Sequence, residues 1–263
     1  MWLRSYSTSL YLFLYAPIAL IVLFSFNAGR SGLAFECCST QWFGRAFGNP
    51  FIMEALGNSA LIAFSSALIA TLFGTLAVFG LQRAHPKVRL LFDALTYCAI
   101  IVPGIVIGIS TLIAFISLFD LINPLLASWI PAMPRLNMGF FTVIAAHSLF
   151  TMALVMVIVR SRVDSLDKAL LEASADLYAP PMHTFWRVTL PQISPAIMAG
   201  FLLAFTFSFD DFIIAFFVAG SETTLPIYIF SSIRRGVTPE INAVSTVIIC
   251  ASLALLFTSR HLQ

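Results

Sequence analysis

A chain of 263 residues that is 60% hydrophobic and 10% charged, with a mean hydropathy of +0.96, is not an ordinary soluble domain, whose charged share is about 25%. A net charge of +2 gives no reason to expect a nucleic-acid partner, and nothing resembles a nucleotide-binding motif such as a Walker P-loop. The apolar runs are long and unbroken, which points to membrane-spanning helices and not to a barrel, whose strands alternate over about ten residues.

Six spans are predicted in chain order. The first covers about Leu10 to Phe26; Arg4 precedes it and no convincing cleavage site follows, so it reads as a retained anchor. The second, about Gly57 to Leu81, carries Gly57, Ala60, Ala63, Ser65, Ser66, Ala67, Ala70 and Gly74, small residues that let helices approach closely. The third runs from about Leu91 to Leu118 with Val102-Pro103-Gly104 near its middle, a kink or gate in a helix that lines a cavity, or simple kinking for packing. The fourth runs from about Met138 to Val159 and holds His147, which reads as a hydrogen bonder between helices. The fifth is about Ser194 to Ala219 and the sixth about Ile241 to Thr258. Leu121–Met133, between the third and fourth, and Leu225–Ile233, between the fifth and sixth, read as short outer segments. Trp42 and Trp129 fit an aromatic belt, and Glu54 and Asn58 an interfacial position.

Lysine and arginine set the orientation. Arg4, Arg83, Lys87, Arg89, Arg160, Arg162, Lys168, Arg187 and Arg260 fall on one side, and only Arg30, Arg45, Arg135, Arg234 and Arg235 on the other. The richer side is cytoplasmic, which puts both termini inside. Cys98 and Cys250 lie in spans, and adjacent Cys37 and Cys38 in an exported loop read as free thiols or a loop contact, a bridge between neighbours being uncommon.

The longest polar interruption is Asp164–Pro191. Leu166, Ala169, Leu170, Ala173 and Leu177 form one apolar helical face, with Lys168, Glu172 and Asp176 on another. Pro180 and Pro181 stop that helix, and a second, about Met182 to Thr189, ends at Leu190-Pro191. The stretch is a helix-turn-helix that leaves the membrane and returns.

A second feature is Ser208-Phe209-Asp210-Asp211-Phe212 inside the fifth span. A carboxylate in hydrocarbon costs roughly 2.5–3.5 kcal/mol, so two adjacent ones need a reason. They either line a water-filled path for a cation or cap a break and bond a neighbouring helix. Adjacent residues point about 100° apart, so one is assigned to the path and one to the structure, with the choice open. Phe205, Phe207, Phe209 and Phe212 surround them, as packing or as a cation–π wall.

Glu172-Ala173-Ser174, Asp176-Leu177, Thr184-Phe185, Val188-Thr189-Leu190-Pro191 and Pro195 resemble the EAA loop of ABC-importer permeases, the binding-protein-dependent inner-membrane proteins with the methionine-importer-like transmembrane fold. Leu14-Tyr15-Ala16-Pro17, Ser25-Phe26-Asn27, Trp42-Phe43, Asp210-Asp211, Thr223-Thr224-Leu225-Pro226 and Gly236-Val237-Thr238-Pro239-Glu240-Ile241-Asn242-Ala243 are similar to the spermidine/putrescine permeases of that class, over about Tyr11 to Thr246. Ferric-iron and aminophosphonate permeases share parts of the pattern.

The resemblance implies an all-α integral membrane protein, a six-helix type I ABC importer permease with both termini cytoplasmic. Residues 1–263 form one transmembrane domain with a cytoplasmic coupling loop at 160–191. It implies a transport subunit of the bacterial inner membrane and not an enzyme, with a second homologous permease, two ATPase subunits carrying ATP and Mg, and a periplasmic substrate-binding protein as partners. No cofactor or metal is expected in this chain. Glu172, Ala173, Ser174, Asp176, Tyr178, Leu190 and Pro191 are the expected ATPase-coupling residues, and Asp210, Asp211, Ser208 and Pro103 the expected translocation path. Two positions depart from the family. Tyr178 stands where it has Gly, and Gly104 where many polyamine permeases have an acid after the proline. Ser174, often Ala, is a milder change. Two rival readings are an ion-gradient-driven carrier using Asp210, Asp211 and His147, and a coupling-defective paralogue.

Overall fold

A computed structural model describes residues 2–30, 34–130, 134–236 and 238–261, and among them all regular structure is helical. Twelve helices run α1 Trp2–Ser25, α2 Gln41–Gly48, α3 Pro50–Gln82, α4 Pro86–Ile101, α5 Gly104–Trp129, α6 Phe140–Asp164, α7 Lys168–Asp176, α8 Pro181–Thr184, α9 Leu190–Asp210, α10 Ile213–Val218, α11 Leu225–Arg235 and α12 Pro239–His261. Among the described residues, five stretches are long and apolar enough to cross a membrane: Arg4–Ser25, Pro50–Gln82, Gly104–Trp129, Phe140–Asp164 and Pro181–Asp210. The sixth expected span falls on α12, whose described apolar part is Pro239–Cys250. The expected outer segment at Leu121–Met133 and the motif at Gly236–Ala243 each cross residues outside the described set.

Two of the expected spans differ in outline. The third breaks at Val102-Pro103 into α4 and α5. Proline has no N–H to give and its ring crowds the preceding turn, so α4 ends there and α5 begins at Gly104. Residues 121–129 are the continuation of α5 and not a separate outer helix, with Pro124 taken up inside it. The fifth span breaks at Asp211-Phe212, which divides α9 from α10.

The fifth span also starts earlier. A helix end at Leu190-Pro191 is the expectation; instead the helix runs on from Pro181 to Asp210. Phe185–Thr189 between α8 and α9 form a π-helical turn in which Leu190 N–H donates to Phe185 O. The wider turn makes room for the Pro191 ring, the usual device by which a proline stays in a helix.

The chain divides into two compact units, Met1–Leu56 with Ile227–Gln263, and Gly57–Pro226. In the first, the loop after α1 is organised by buried Asn27. Its Nδ2 donates to Ala34 O at 2.9 Å, its Oδ1 accepts from Glu36 N–H at 2.6 Å, and its carbonyl accepts from Trp42 Nε1 at 2.7 Å. Trp42 is therefore a buried anchor and not a belt residue, with Arg45 over its ring at 4.7 Å. Trp129 is exposed. Cys37 and Cys38 are disulfide-bonded to each other, against the free-thiol expectation.

In the second unit, α6 is the central helix. Its Val155, Met156 and Val159 are buried against Ala67, Ala70 and Val78 of α3 and Ile193 and Ala204 of α9. Small residues permit this. A Cβ on Gly74 would lie 3.2 Å from Val155 Cγ1, and one on Gly200 would lie 3.3 Å from the same atom. Within lipid, where burial gives little drive, such close approach is what holds helices together. Polar links reinforce it. Ser66 Oγ donates to Ile144 O at 3.3 Å, and Arg162 Nε donates to Gln192 O at 3.0 Å. Arg160 pairs with Asp93, joining α6 to α4.

Candidate functional site: a double helix break and a helical hairpin

Four elements converge on the first site. The start of α5 packs against α10: Ile213 Cβ lies 3.9 Å from where a Cβ on Gly104 would sit, and Phe217 Cδ2 2.7 Å from the same position on Gly108. The break at Pro103 and the break at Asp211-Phe212 thus adjoin. On the other side, Thr142 Oγ1 at the start of α6 is 2.6 Å from Val218 O at the end of α10.

The second break has a built interior. Asp211 leaves the helix with φ −71° and ψ 120°, and its Oδ2 accepts from Ala215 N–H at 3.0 Å. The same oxygen is 3.2 Å from Nε2 of His147, in ion-pair range without hydrogen-bond alignment. His147 is 2% exposed, and its Nδ1 is 2.8 Å from Ser208 Oγ on the last turns of α9. Asp210, the last residue of α9, is exposed. The break occurs with no proline or glycine in it; a carboxylate that replaces a lost backbone acceptor makes it tolerable in the membrane.

The aromatic residues nearby pack on one another. Phe205 stacks on Phe209 at 5.9 Å, Phe207 meets Phe150 at 6.1 Å, and Phe212 meets Phe216 at 5.4 Å. Phe216 in turn meets Phe217 at 5.7 Å.

The second site is the hairpin of α7 and α8. Asp167 Oδ1 caps α7 by accepting from Ala169 N–H at 2.9 Å. At the far end, Ala179 N–H donates to Ser174 O at 3.1 Å and Tyr178 N–H to Ala175 O at 2.9 Å. This is the paired 6→1 and 5→2 pattern of a Schellman stop, which requires a left-handed residue at its centre. That residue is Tyr178, with φ 55°, the one non-glycine residue with positive φ among those described. Ser174 Oγ lies 2.7 Å from Thr184 Oγ1 and ties α7 to α8. Behind the hairpin is a cavity of about 550 Å³ whose lining includes Phe79 and Arg83 of α3, Asp164 of α6, and Ala175 and Phe185.

The model of the family described as "Binding-protein-dependent transport system inner membrane component" matches residues 70–263. The chain belongs to this family. The permease is 39% identical over 245 residues to the putrescine transport system permease protein PotI of Escherichia coli K12, covering 91% of this chain and 82% of that one. It is 35% identical over 251 residues to the spermidine/putrescine transport system permease protein PotC of Haemophilus influenzae, covering 95% and 91%. A bacterial ABC transporter involved in the import of the acidic polysaccharide alginate has the same fold, with a TM-score of 0.73 at 16% identity, over 99% of this chain and 93% of that one. An amino acid ABC transporter crystallised with histidines gives 0.55 at 17%, over 83% and 98%. The chain is thus an inner-membrane ABC importer permease, a transport component and not an enzyme.

The sequence-derived path residues of the permease come together: Ser208, Asp210 and Asp211 at one break, beside the other at Pro103. His147 joins them as a bridge between helices. Of the expected coupling residues, Glu172, Ala173, Asp176 and Tyr178 are exposed and Ser174 is half-buried. Leu190 and Pro191 lie past the π-helical turn, inside the long helix and not at its end. Sequence reading missed the link from Asn58 Nδ2 to Thr223 O at 3.0 Å, and from Leu225 N–H to Ser59 Oγ at 2.8 Å. Polar residues at the head of a long apolar run were the available signal.

Proposed function

We infer that this permease is one of two membrane subunits of a type I ABC importer that carries a small cationic solute, a polyamine such as putrescine or spermidine, by ATP-driven alternating access. The observation that carries this reading is the similarity, over more than nine-tenths of the chain, to permeases named for putrescine and spermidine/putrescine transport. The acid pair at the double break supports a cationic solute. An exposed carboxylate in a membrane segment attracts a cation, and a helix broken beside another break is the kind of backbone that lines a cavity.

Both termini and the hairpin of α7 and α8 lie in the cytoplasm. The hairpin is the coupling element: Leu177, Tyr178 and Met182 are exposed on it and Trp186 in the π-helical turn after it, with Glu172 and Asp176 on α7, apolar side chains with acidic neighbours suited to a groove on an ATPase. The partners are a second homologous permease, two ATPase subunits that bind ATP and Mg, and a periplasmic substrate-binding protein. Closure of the ATPase dimer pushes the hairpin, the membrane path opens outward to receive the solute, and hydrolysis resets it inward. No cofactor belongs to this chain.

The test is to tag the chain, extract it from its native membrane in mild detergent and identify what co-purifies. An ATPase and a second permease in stoichiometric amounts, followed by ATP-dependent putrescine or spermidine uptake, is the expected result. Uptake that survives ATP depletion but collapses with an uncoupler would overturn it in favour of an ion-gradient carrier using His147, Asp210 and Asp211.

A further inference from the structure

The two carboxylates at the α9–α10 break stand side by side in sequence, but their surroundings differ. Asp211 is held from two directions. Its Oδ2 accepts from Ala215 N–H at 3.0 Å and lies 3.2 Å from His147 Nε2. A carboxylate beside Nε2 favours the imidazole tautomer that carries its proton there, which leaves Nδ1 to accept from the Ser208 hydroxyl 2.8 Å away. The buried ring thereby braces α6 against both the last turns of α9 and the residue after them. To follow a passing cation, Asp211 would have to give up both the Ala215 N–H and its place beside His147.

Asp210 has none of this. Among the described residues it accepts no hydrogen bond and pairs with no cation, and its side chain is exposed. It ends α9 in helical geometry, whereas Asp211 is already extended, so the two side chains diverge.

We propose that His147 is a positioning residue that fixes Asp211 as a structural part of the break, and that Asp210 is the carboxylate that meets the cationic solute. The identity of the solute rests on the proposed polyamine function; which acid is held rests on the geometry of the break alone. Asparagine separates the two roles. It keeps an acceptor of the right shape and removes the charge.

The experiment uses the complete importer in proteoliposomes with putrescine as the probe. Asp210→Asn is expected to lower kcat/KM roughly 10–100-fold, the size of a lost charge-assisted contact. Asp211→Asn, which can still accept from Ala215 N–H, is expected to stay within about threefold. His147→Ala is expected to lower kcat with KM little changed, and His147→Gln, which returns a donor near the Nε2 position, to restore it. The reverse order for the two asparagine variants, equal losses, or no loss in either would overturn the assignment. Co-purification of the partner subunits with each variant shows that it assembles.

A second arm needs no transport. With Cys98→Ser and Cys250→Ser in place, Asp210→Cys in the assembled complex is expected to react with a small cationic methanethiosulfonate. Failure to react overturns the proposal even if uptake is lost in Asp210→Asn. If the wild-type importer moves no polyamine, the function reading fails while this labelling still decides which acid faces the path.

Discussion

Ser174 Oγ and Thr184 Oγ1 stand 2.7 Å apart across the turn of the hairpin, one hydroxyl on α7 and the other at the end of α8. Both are half-buried, so the bond is partly shielded from water and worth about 0.5–1.5 kcal/mol. Thr184 has an alternative in Pro180 O at 3.4 Å, which softens the loss of its partner. A double-mutant cycle with Ser174→Ala and Thr184→Val is the check. The thermal midpoint of the assembled importer should fall in each single variant, and the pair should lose less than the sum. Strict additivity would mean that the two hydroxyls act independently.

Tyr178 holds the left-handed position of the Schellman stop at φ 55° with its ring 95% exposed. The ring packs on nothing that would compensate for the Cβ strain, which is about 1–2 kcal/mol for an L-residue in this conformation. Tyr178→Gly relieves that strain and gives part of it back as unfolded-state entropy of about 0.5–1 kcal/mol. The expected outcome is a small rise in thermal stability, with ATPase stimulation by loaded binding protein retained. Tyr178→Val, β-branched at positive φ, should lower both. A fall in stability for Tyr178→Gly would show that the tyrosine ring makes a contact in the assembly that outweighs its backbone cost.

Gly220 follows α10 at φ +60°, and a Cβ there would lie 2.5 Å from Met138 O and 2.8 Å from its carbonyl carbon. Both objections are to backbone, which cannot rotate away as a side chain can. Gly220→Ala should therefore destabilise the permease by about 1–3 kcal/mol, the range for a residue forced into disfavoured φ/ψ, and more if Met138 cannot shift. The loss should appear as a lower thermal midpoint and a lower yield of assembled complex, and Gly220→Asn should be milder than Gly220→Val. Equal effects from all three would point to the Met138 contact alone as the cause.

Which parts of this molecule were legible in its sequence follows from what each part is made of. Long apolar runs are governed by membrane thickness alone, so five spans could be read from composition. The hairpin was legible because Pro180 and Pro181 punctuate it, and position 178 stood out only because the family it resembles has Gly where this chain has a tyrosine. Breaks were harder. Pro103 signals one openly. The break at Asp211-Phe212 carries no helix breaker, and its only trace was the improbability of two acids in hydrocarbon. Pro191 misled in the opposite direction, because a π-helical turn absorbed a proline that reads as a stop. The roles of His147 and Ser208 depend on residues 61 apart meeting at 2.8 Å, which no local pattern encodes.

Val155 is the point where three helices meet, and it tests whether close approach or mere apolarity holds them. Its Cγ1 would lie 3.2 Å from a Cβ on Gly74 and 3.3 Å from one on Gly200, so α3 and α9 both pack on the same side chain. Val155 is fully buried and has no room to retreat. Gly200→Ala should cost about 1–3 kcal/mol as overpacking, and Gly74→Ala somewhat more, because Met152 O lies 3.3 Å from the same new methyl. Val155→Ala alone should also destabilise, by leaving a void. In combination the signs change: Gly200→Ala with Val155→Ala should be more stable than the sum of the two, since the new methyl enters the vacated space. Thermal unfolding of the four proteins in one detergent measures the coupling. If Gly200→Ala is neutral, or if the pair is additive, the helices have slack at this crossing and their spacing is set elsewhere.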